Sequence, residues 1–133
     1  MMKRILAAVL GLAGAAASIA VAASPAQAAV PQQCPSGSFC VYNDVDFKNG
    51  VWGTPGNDND WGDNWFSNRS AKVFKHDSSW YNHGILSGPT FVRVYDNYNR
   101  TGAMTICLQA GTYFASKPSS SDHGVSHGWY YNC

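Results

Sequence analysis

All four cysteines, Cys34, Cys40, Cys107 and Cys133, follow a segment laid out for export, and this combination limits the fold more than any other feature. The basic residues Lys3 and Arg4 precede an apolar run from Ile5 to about Ala23, and the small-residue triplet Ala26-Gln-Ala28 follows. That is the layout of a secretory signal. The run approaches the ~20 residues that span a bilayer. Gly, Ala and Ser dilute it, however, and Pro25 stands before the A-x-A site, so cleavage after Ala28 is expected. Residues 1–28 are then the signal peptide and 29–133 one secreted, extracellular domain. In an oxidising compartment an even cysteine count implies disulfides, with three pairings open for four residues. Cys34–Cys40 and Cys107–Cys133 are favoured. The first closes a short turn and the second ties the chain end to an interior run. In the chain-entropy account they would stabilise the fold by about 2 and 3.5 kcal/mol, a large share of a small domain's stability.

From Ala29 to Cys133 there are 105 residues, enough to bury about 60–70% of the surface the unfolded chain exposes. Without Lys3 and Arg4, seven basic residues face eight aspartates, and there is no glutamate. A net charge near −1 does not favour the phosphate backbone, so no nucleic-acid partner is expected. No second long apolar run follows the leader, so no membrane partner is expected once it is removed. A monomer is expected.

Apolar residues alternate over 39–42, 71–74, 91–95 and 104–108, and Gly, Asn, Asp or Pro clusters bound each run. That is the pattern of short antiparallel strands joined by tight turns. No ten residues show helical periodicity without a breaker, so the fold class is all-β. Val41-Tyr-Asn-Asp44 and Val94-Tyr-Asp-Asn97 lie 53 positions apart, each leading into an Asn-rich turn and a glycine. Two similar halves are implied. A double Greek-key β-sandwich would bury their repeated aromatic positions between two sheets, with further strands expected at Val73 and Trp129.

Across nearly the whole of 29–133 the chain resembles the secreted bacterial peptidase inhibitors typified by the actinobacterial metalloproteinase inhibitor, a family of βγ-crystallin-like fold. Cys34-Pro-Ser-Gly-Ser-Phe-Cys40-Val-Tyr42 carries the resemblance most specifically, with Phe47 and Gly50 after it. Trp65-Phe-Ser-Asn-Arg-Ser-Ala-Lys-Val73 and Val92-Arg-Val-Tyr95, leading to Cys107-Leu108, carry the rest. In the crystallin-type corner, two spaced aromatics and a glycine fold a hairpin back over its own sheet, the glycine supplying a backbone angle that other residues resist. Tyr42 and Phe47 fit, with Gly50 one residue late; Tyr95 and Gly102 fit, but Arg100 replaces the second aromatic.

The resemblance implies a metallopeptidase inhibitor whose reactive bond follows a cysteine and precedes an aliphatic residue, here Cys107 and Leu108. The family's best-known type closes that loop with a second cysteine, where this chain has Ala110, Gly111 and Thr112. The partner would be an extracellular peptidase, held by a rigid loop that loses little entropy on docking. No catalytic residue and no cofactor are implied.

The long polar loop 53–64 offers a second kind of site. Trp61, Asp63 and Asn64 could stack on and hydrogen-bond to a sugar or peptide, with Trp52 and Trp65 expected to plug the gap between the sheets. A non-catalytic glycan-binding, cell-surface-binding or antimicrobial protein is therefore the competing reading. Crystallin-type domains often hold calcium on Asn, Asp and Ser oxygens. Here Ser67/Asn68 lead into Ala71 and Lys72, and Ser121/Asp122 into His123 and Gly124, so turn chemistry fits both segments better and no metal is expected. His123 and His127 have a chelating spacing only on a helix, which Gly124 and Gly128 oppose; exposed turn positions are expected. His76, Asp77 and the serines at 78–79 form a triad only on paper.

Overall fold

A computed structural model describes residues 31–133. The signal-peptide reading of 1–28 lies outside them, as do the first two residues of the expected 29–133 domain. Among the described residues seven strands form two antiparallel sheets: β1 (Phe39–Asp44), β2 (Lys48–Thr54), β3 (Ser79–Asn82), β4 (Phe91–Tyr95), β5 (Met104–Gln109), β6 (Tyr113–Phe114) and β7 (Ser126–Tyr130). One sheet has the order β2-β1-β3-β6 and the other β5-β4-β7. Among the described residues the remaining elements are single turns of 3-10 helix, and no helix is long and apolar enough to cross a membrane.

The period-2 alternation sets which side chains meet. Phe39 and Val41 of β1, Trp80 of β3, Val92 and Val94 of β4, and Ile106 and Leu108 of β5 point between the sheets into one buried cluster. Cys40 and Tyr42 point the other way and are covered by Phe47 and Cys34. Both favoured disulfides are present, Cys34–Cys40 and Cys107–Cys133.

The halves interlock. β6, from the second half, pairs with β3 of the first. In return Asp58 of the first half exchanges two backbone hydrogen bonds with His127 on β7, at 3.0 and 2.8 Å. Each half lends backbone to the other's sheet, so neither can unfold without exposing an edge of its partner.

The duplication seen in the sequence is a duplication of backbone angles. In the first hairpin Asp46 and Phe47 take φ of 57° and 59°; 53 residues on, Asn99 and Arg100 take 57° and 59°. Gly102 supplies the next left-handed position, with φ 80°. Its equivalent is Asn49, at φ 59°, and Gly50 is an added left-handed residue, which accounts for its late place in the motif.

The expected strand at 71–74 is not formed. Arg69 and Lys75 are both left-handed, and the segment folds on itself: Phe66 N donates to the Ala71 carbonyl and Val73 N to that of Asn64. Only the isolated bridge between Trp65 and Lys72 remains of a ladder. Val73 is still buried, so its apolar signal reported burial rather than a strand.

Candidate functional site

Among the described residues most large apolar side chains are at least half-covered, but the connection between β3 and β4 presents two aliphatics to solvent. Ile85 is 60% exposed and Leu86 82% exposed. They sit in His83-Gly-Ile-Leu-Ser-Gly-Pro-Thr90, between the two halves.

Both feet of this loop are fixed. At the first, His83 N donates to the Ser38 carbonyl at 2.9 Å, and Gly37 N to the His83 carbonyl at 2.7 Å. His83 Nδ1 donates to the Cys34 carbonyl at 2.9 Å, and its ring stacks on Tyr81 with centroids 4.9 Å apart. The first foot is thus tied to the turn closed by Cys34–Cys40. At the second, Thr90 accepts from Ala110 N at 2.8 Å. Gly84 begins the exposed stretch against the Trp129 ring, where a Cβ would stand 2.6 Å from Cζ3, so only glycine allows this approach. Trp129 Nε1 in turn donates to the Gly56 carbonyl at 3.2 Å. Beside the loop lies an open groove of about 500 Å³, bounded by Ile85, Pro89, Trp129, Pro55 and Asn57.

The residues expected to form the reactive bond are placed differently. Leu108 lies on β5 opposite Val92, is 3% exposed, and its side chain belongs to the core. Cys107 faces outward opposite Arg93 and is held by Cys133. The expectation that Leu108 is offered to a peptidase is corrected by this burial: a side chain inside the sandwich cannot enter a cleft without opening the sheet. What Leu108 gives the loop is its carbonyl, which accepts from Asn82 Nδ2 at 2.7 Å.

Trp61 also departs from expectation. Its indole is fully buried against Trp52, Phe39 and His127, because Trp61 N donates to the Val125 carbonyl and draws the ring between the sheets. Its Nε1 donates to His127 Nδ1 at 3.0 Å, which removes the cost of burying the N–H. Asp63 stays exposed, while Asn64 Nδ2 donates to Asp58 Oδ2 at 2.9 Å, so the three residues form no common surface. Burial raises the Asp58 carboxyl above its ordinary range. Trp65, expected to plug the sandwich, is instead exposed beneath Lys72.

His127 is not an exposed turn residue. It is fully buried, accepts from Trp61 and donates from Nε2 to the Gly56 carbonyl at 2.9 Å. Both ring nitrogens are used in the neutral form, and burial pulls its pKa down to about 4. His123 is exposed, as expected. The paper triad does not assemble: His76 is exposed and turned to the Phe74 carbonyl, whereas Asp77 is buried and accepts from Trp80 Nε1 at 3.0 Å and Gly124 N at 2.8 Å. Burial pushes Asp77 up to about 6. Asn68 Oδ1 is taken by the amide and hydroxyl of Ser70, and among the described residues no three metal-ligating His, Cys or Asp side chains converge.

Residues 27–107, more than half of the chain, match the profile of peptidase inhibitor family I36. The chain belongs to that family. The match takes in both feet of the exposed loop and the Cys34–Cys40 turn, and stops one residue before Leu108. No functionally curated protein matches the chain by sequence. Among solved structures, a chain from a study of the evolution of the eye-lens βγ-crystallin domain fold shares 18% identity at TM-score 0.54, covering 71% of this chain and 86% of that one. An archaeal βγ-crystallin shares 21% at TM-score 0.51, covering 69% and 95%. A βγ-crystallin from Ciona intestinalis shares 17% at TM-score 0.51, covering 69% and 98%. These likenesses establish the fold: this I36 member is a βγ-crystallin-like double Greek-key sandwich with two disulfides.

Neither Asn82 nor Gly84 stood out in the sequence. The available signal was the run His83-Gly-Ile-Leu-Ser-Gly-Pro, an aliphatic pair framed by breakers between two alternating runs.

Proposed function

We propose that this I36 member occludes the cleft of an extracellular peptidase with residues 84–89, offering Leu86, flanked by Ile85, to a pocket that accepts aliphatic side chains. The observation that carries this reading is the outward display of both aliphatics on a connection whose feet are bonded to the scaffold. A loop held in shape before docking loses little conformational freedom on binding, so its contacts appear as affinity. Metallopeptidases that bind an apolar side chain just after the cut fit an Ile85–Leu86 sequence best. Export through residues 1–28 and function of 29–133 as a secreted monomer agree with two disulfides in a small domain.

The test is titration of the purified protein against a thermolysin-type metallopeptidase and a subtilisin-type serine peptidase. Inhibition of the first is expected. Leu86→Asp should weaken it at least about a hundredfold, the scale of losing a central anchor, with the thermal midpoint unchanged within about 2 °C because the side chain is already in water. Leu108→Asp should instead unfold the domain. Full inhibition by Leu86→Asp would place the contact elsewhere.

A further inference from the structure

Neither disulfide spans the proposed inhibitory loop. Cys34–Cys40 closes wholly before residues 84–89 and Cys107–Cys133 wholly after them. A peptidase that hydrolyses one peptide bond in the loop adds water across it, leaving a carboxylate on one side and an ammonium on the other. The chain is then two pieces with no covalent link. Whether they stay together depends on non-covalent ties that cross the cut.

One buried side chain makes such ties at the base of the loop. Asn82, at the end of β3, is fully buried. Its Oδ1 accepts from Gly84 N at 2.9 Å, at the start of the exposed stretch. Its Nδ2 donates to the Thr90 carbonyl at 3.0 Å, just past the end, and to the Leu108 carbonyl at 2.7 Å on β5. The main chain of Asn82 adds two more bonds to the second half, donating to the Thr112 carbonyl at 3.0 Å and accepting from Gly111 N at 2.7 Å. Both amide hydrogens and the carbonyl oxygen of the side chain are spent on the two feet of one loop and the strand beneath it, as a buried amide requires.

We propose that Asn82 is a positioning residue that clamps both feet of residues 84–89, so that a loop cut by its target peptidase remains in the cleft instead of leaving as product. This rests on the reading of 84–89 as the inhibitory segment. With Asn82 in place the two new ends stay within a few residues of their anchors, and each rebinds as if at high local concentration. The pairing of β6 with β3 and of Asp58 with His127 holds the bodies of the two halves, and Asn82 holds the ends.

The test incubates the purified wild-type protein and Asn82→Asp with a thermolysin-type peptidase, and follows inhibition over time, the site of cutting and the state of the cut chain. The carboxylate of the variant keeps an acceptor for Gly84 N but lacks the two N–H donors. The wild type, once cut, should elute as a single body in size exclusion and separate into two bands in denaturant without reductant. For Asn82→Asp the initial inhibition constant should rise by about fivefold at most, while peptidase activity recovers at least about tenfold faster. A core variant, Ile106→Val, with a similar loss of thermal stability should not shorten inhibition, which separates positioning from stability. Cutting and release of Asn82→Asp no faster than of the wild type overturns the proposal. If Asn82→Asp fails to fold, the wild type decides: separation of its cut halves in size exclusion, or fast hydrogen exchange at Gly84 N, overturns it. A cut outside 84–89, or full inhibition by Leu86→Asp, counts against the loop reading instead.

Discussion

The two halves of the molecule build the same corner with different fillings. In the first, the Phe47 ring meets Tyr42 edge-on with centroids 5.2 Å apart, and Tyr113 closes over it at 5.4 Å. In the second, the position of Phe47 is Arg100, whose side chain lies across Gly128, with Cδ 2.8 Å from where a Cβ would stand. The backbone does not register the exchange: the paired left-handed angles agree to within a degree. Two serines explain why. Ser79 Oγ accepts from Phe47 N at 3.0 Å and donates to the Asp44 carbonyl at 2.7 Å. Ser126 Oγ accepts from Arg100 N at 2.9 Å and donates to the Asn97 carbonyl at 2.6 Å. The fold is set by a hydroxyl that holds the hairpin down, and the aromatic adds burial on top of it.

The sharpest way to break this comparison is to truncate both fillings. Phe47→Ala removes a buried ring and should cost about 3–4 kcal/mol, whereas Arg100→Ala loses an alkyl stem over a glycine and should cost about 1 kcal/mol. Urea denaturation of both variants measures the gap. Equal losses would mean that the second corner leans on its side chain as much as the first.

A second contrast concerns one buried titratable group from each half. His127 has its folded pKa lowered to about 4 from 6.5, so the unfolded chain takes the proton first and stability falls as pH drops from about 6.5 to 4. Asp77 has its folded pKa raised to about 6 from 3.8, so the folded chain takes the proton first and stability rises as pH drops from about 6 to 3.8. Each effect is about 3 kcal/mol at full extent. They oppose, so the unfolding free energy of the wild type should change little between pH 6.5 and 4. Asp77→Asn, whatever it costs at pH 7, should leave the His127 slope uncovered and lose about 3 kcal/mol over that interval. A flat profile for Asp77→Asn would show that His127 does not carry the acid sensitivity.

Much of the fold could be read from the chain because its strands obey period 2 and its hairpins repeat at a fixed interval. Phe39, Val41, Val92, Val94, Ile106 and Leu108 were legible as alternating apolar positions, and the cysteine pairs as turn and tether. The site was less legible, since exposure is not a local property. Leu86 and Leu108 are the same residue type, yet one projects from a connection and the other closes a core. Trp61 sat in a run of Asn, Asp and Gly that reads as solvent-facing. Its burial depends on His127, 66 positions away, offering an acceptor for the indole N–H. Ser79 appeared only as a possible nucleophile, and nothing in its sequence neighbourhood distinguishes a serine that pins a hairpin from one in a turn.

The smallest effect tests the likeness of the halves. Ser79→Ala leaves Phe47 N–H and the Asp44 carbonyl without their partner, and Ser126→Ala does the same to Arg100 N–H and the Asn97 carbonyl. Stranding these backbone groups, of which Phe47 N is buried and the other three are half-buried, should cost about 1–2 kcal/mol in each case. If the hydroxyl is the common element, the two losses should agree within about 0.5 kcal/mol, the usual margin for independent sites, despite the difference between Phe47 and Arg100 above them. Chemical denaturation of the two variants under one condition provides the measurement. A markedly larger loss at Ser79 would mean that the Tyr42–Phe47 packing depends on the pin, and that the apolar filling and the hydroxyl of the first corner act as one unit while those of the second act separately.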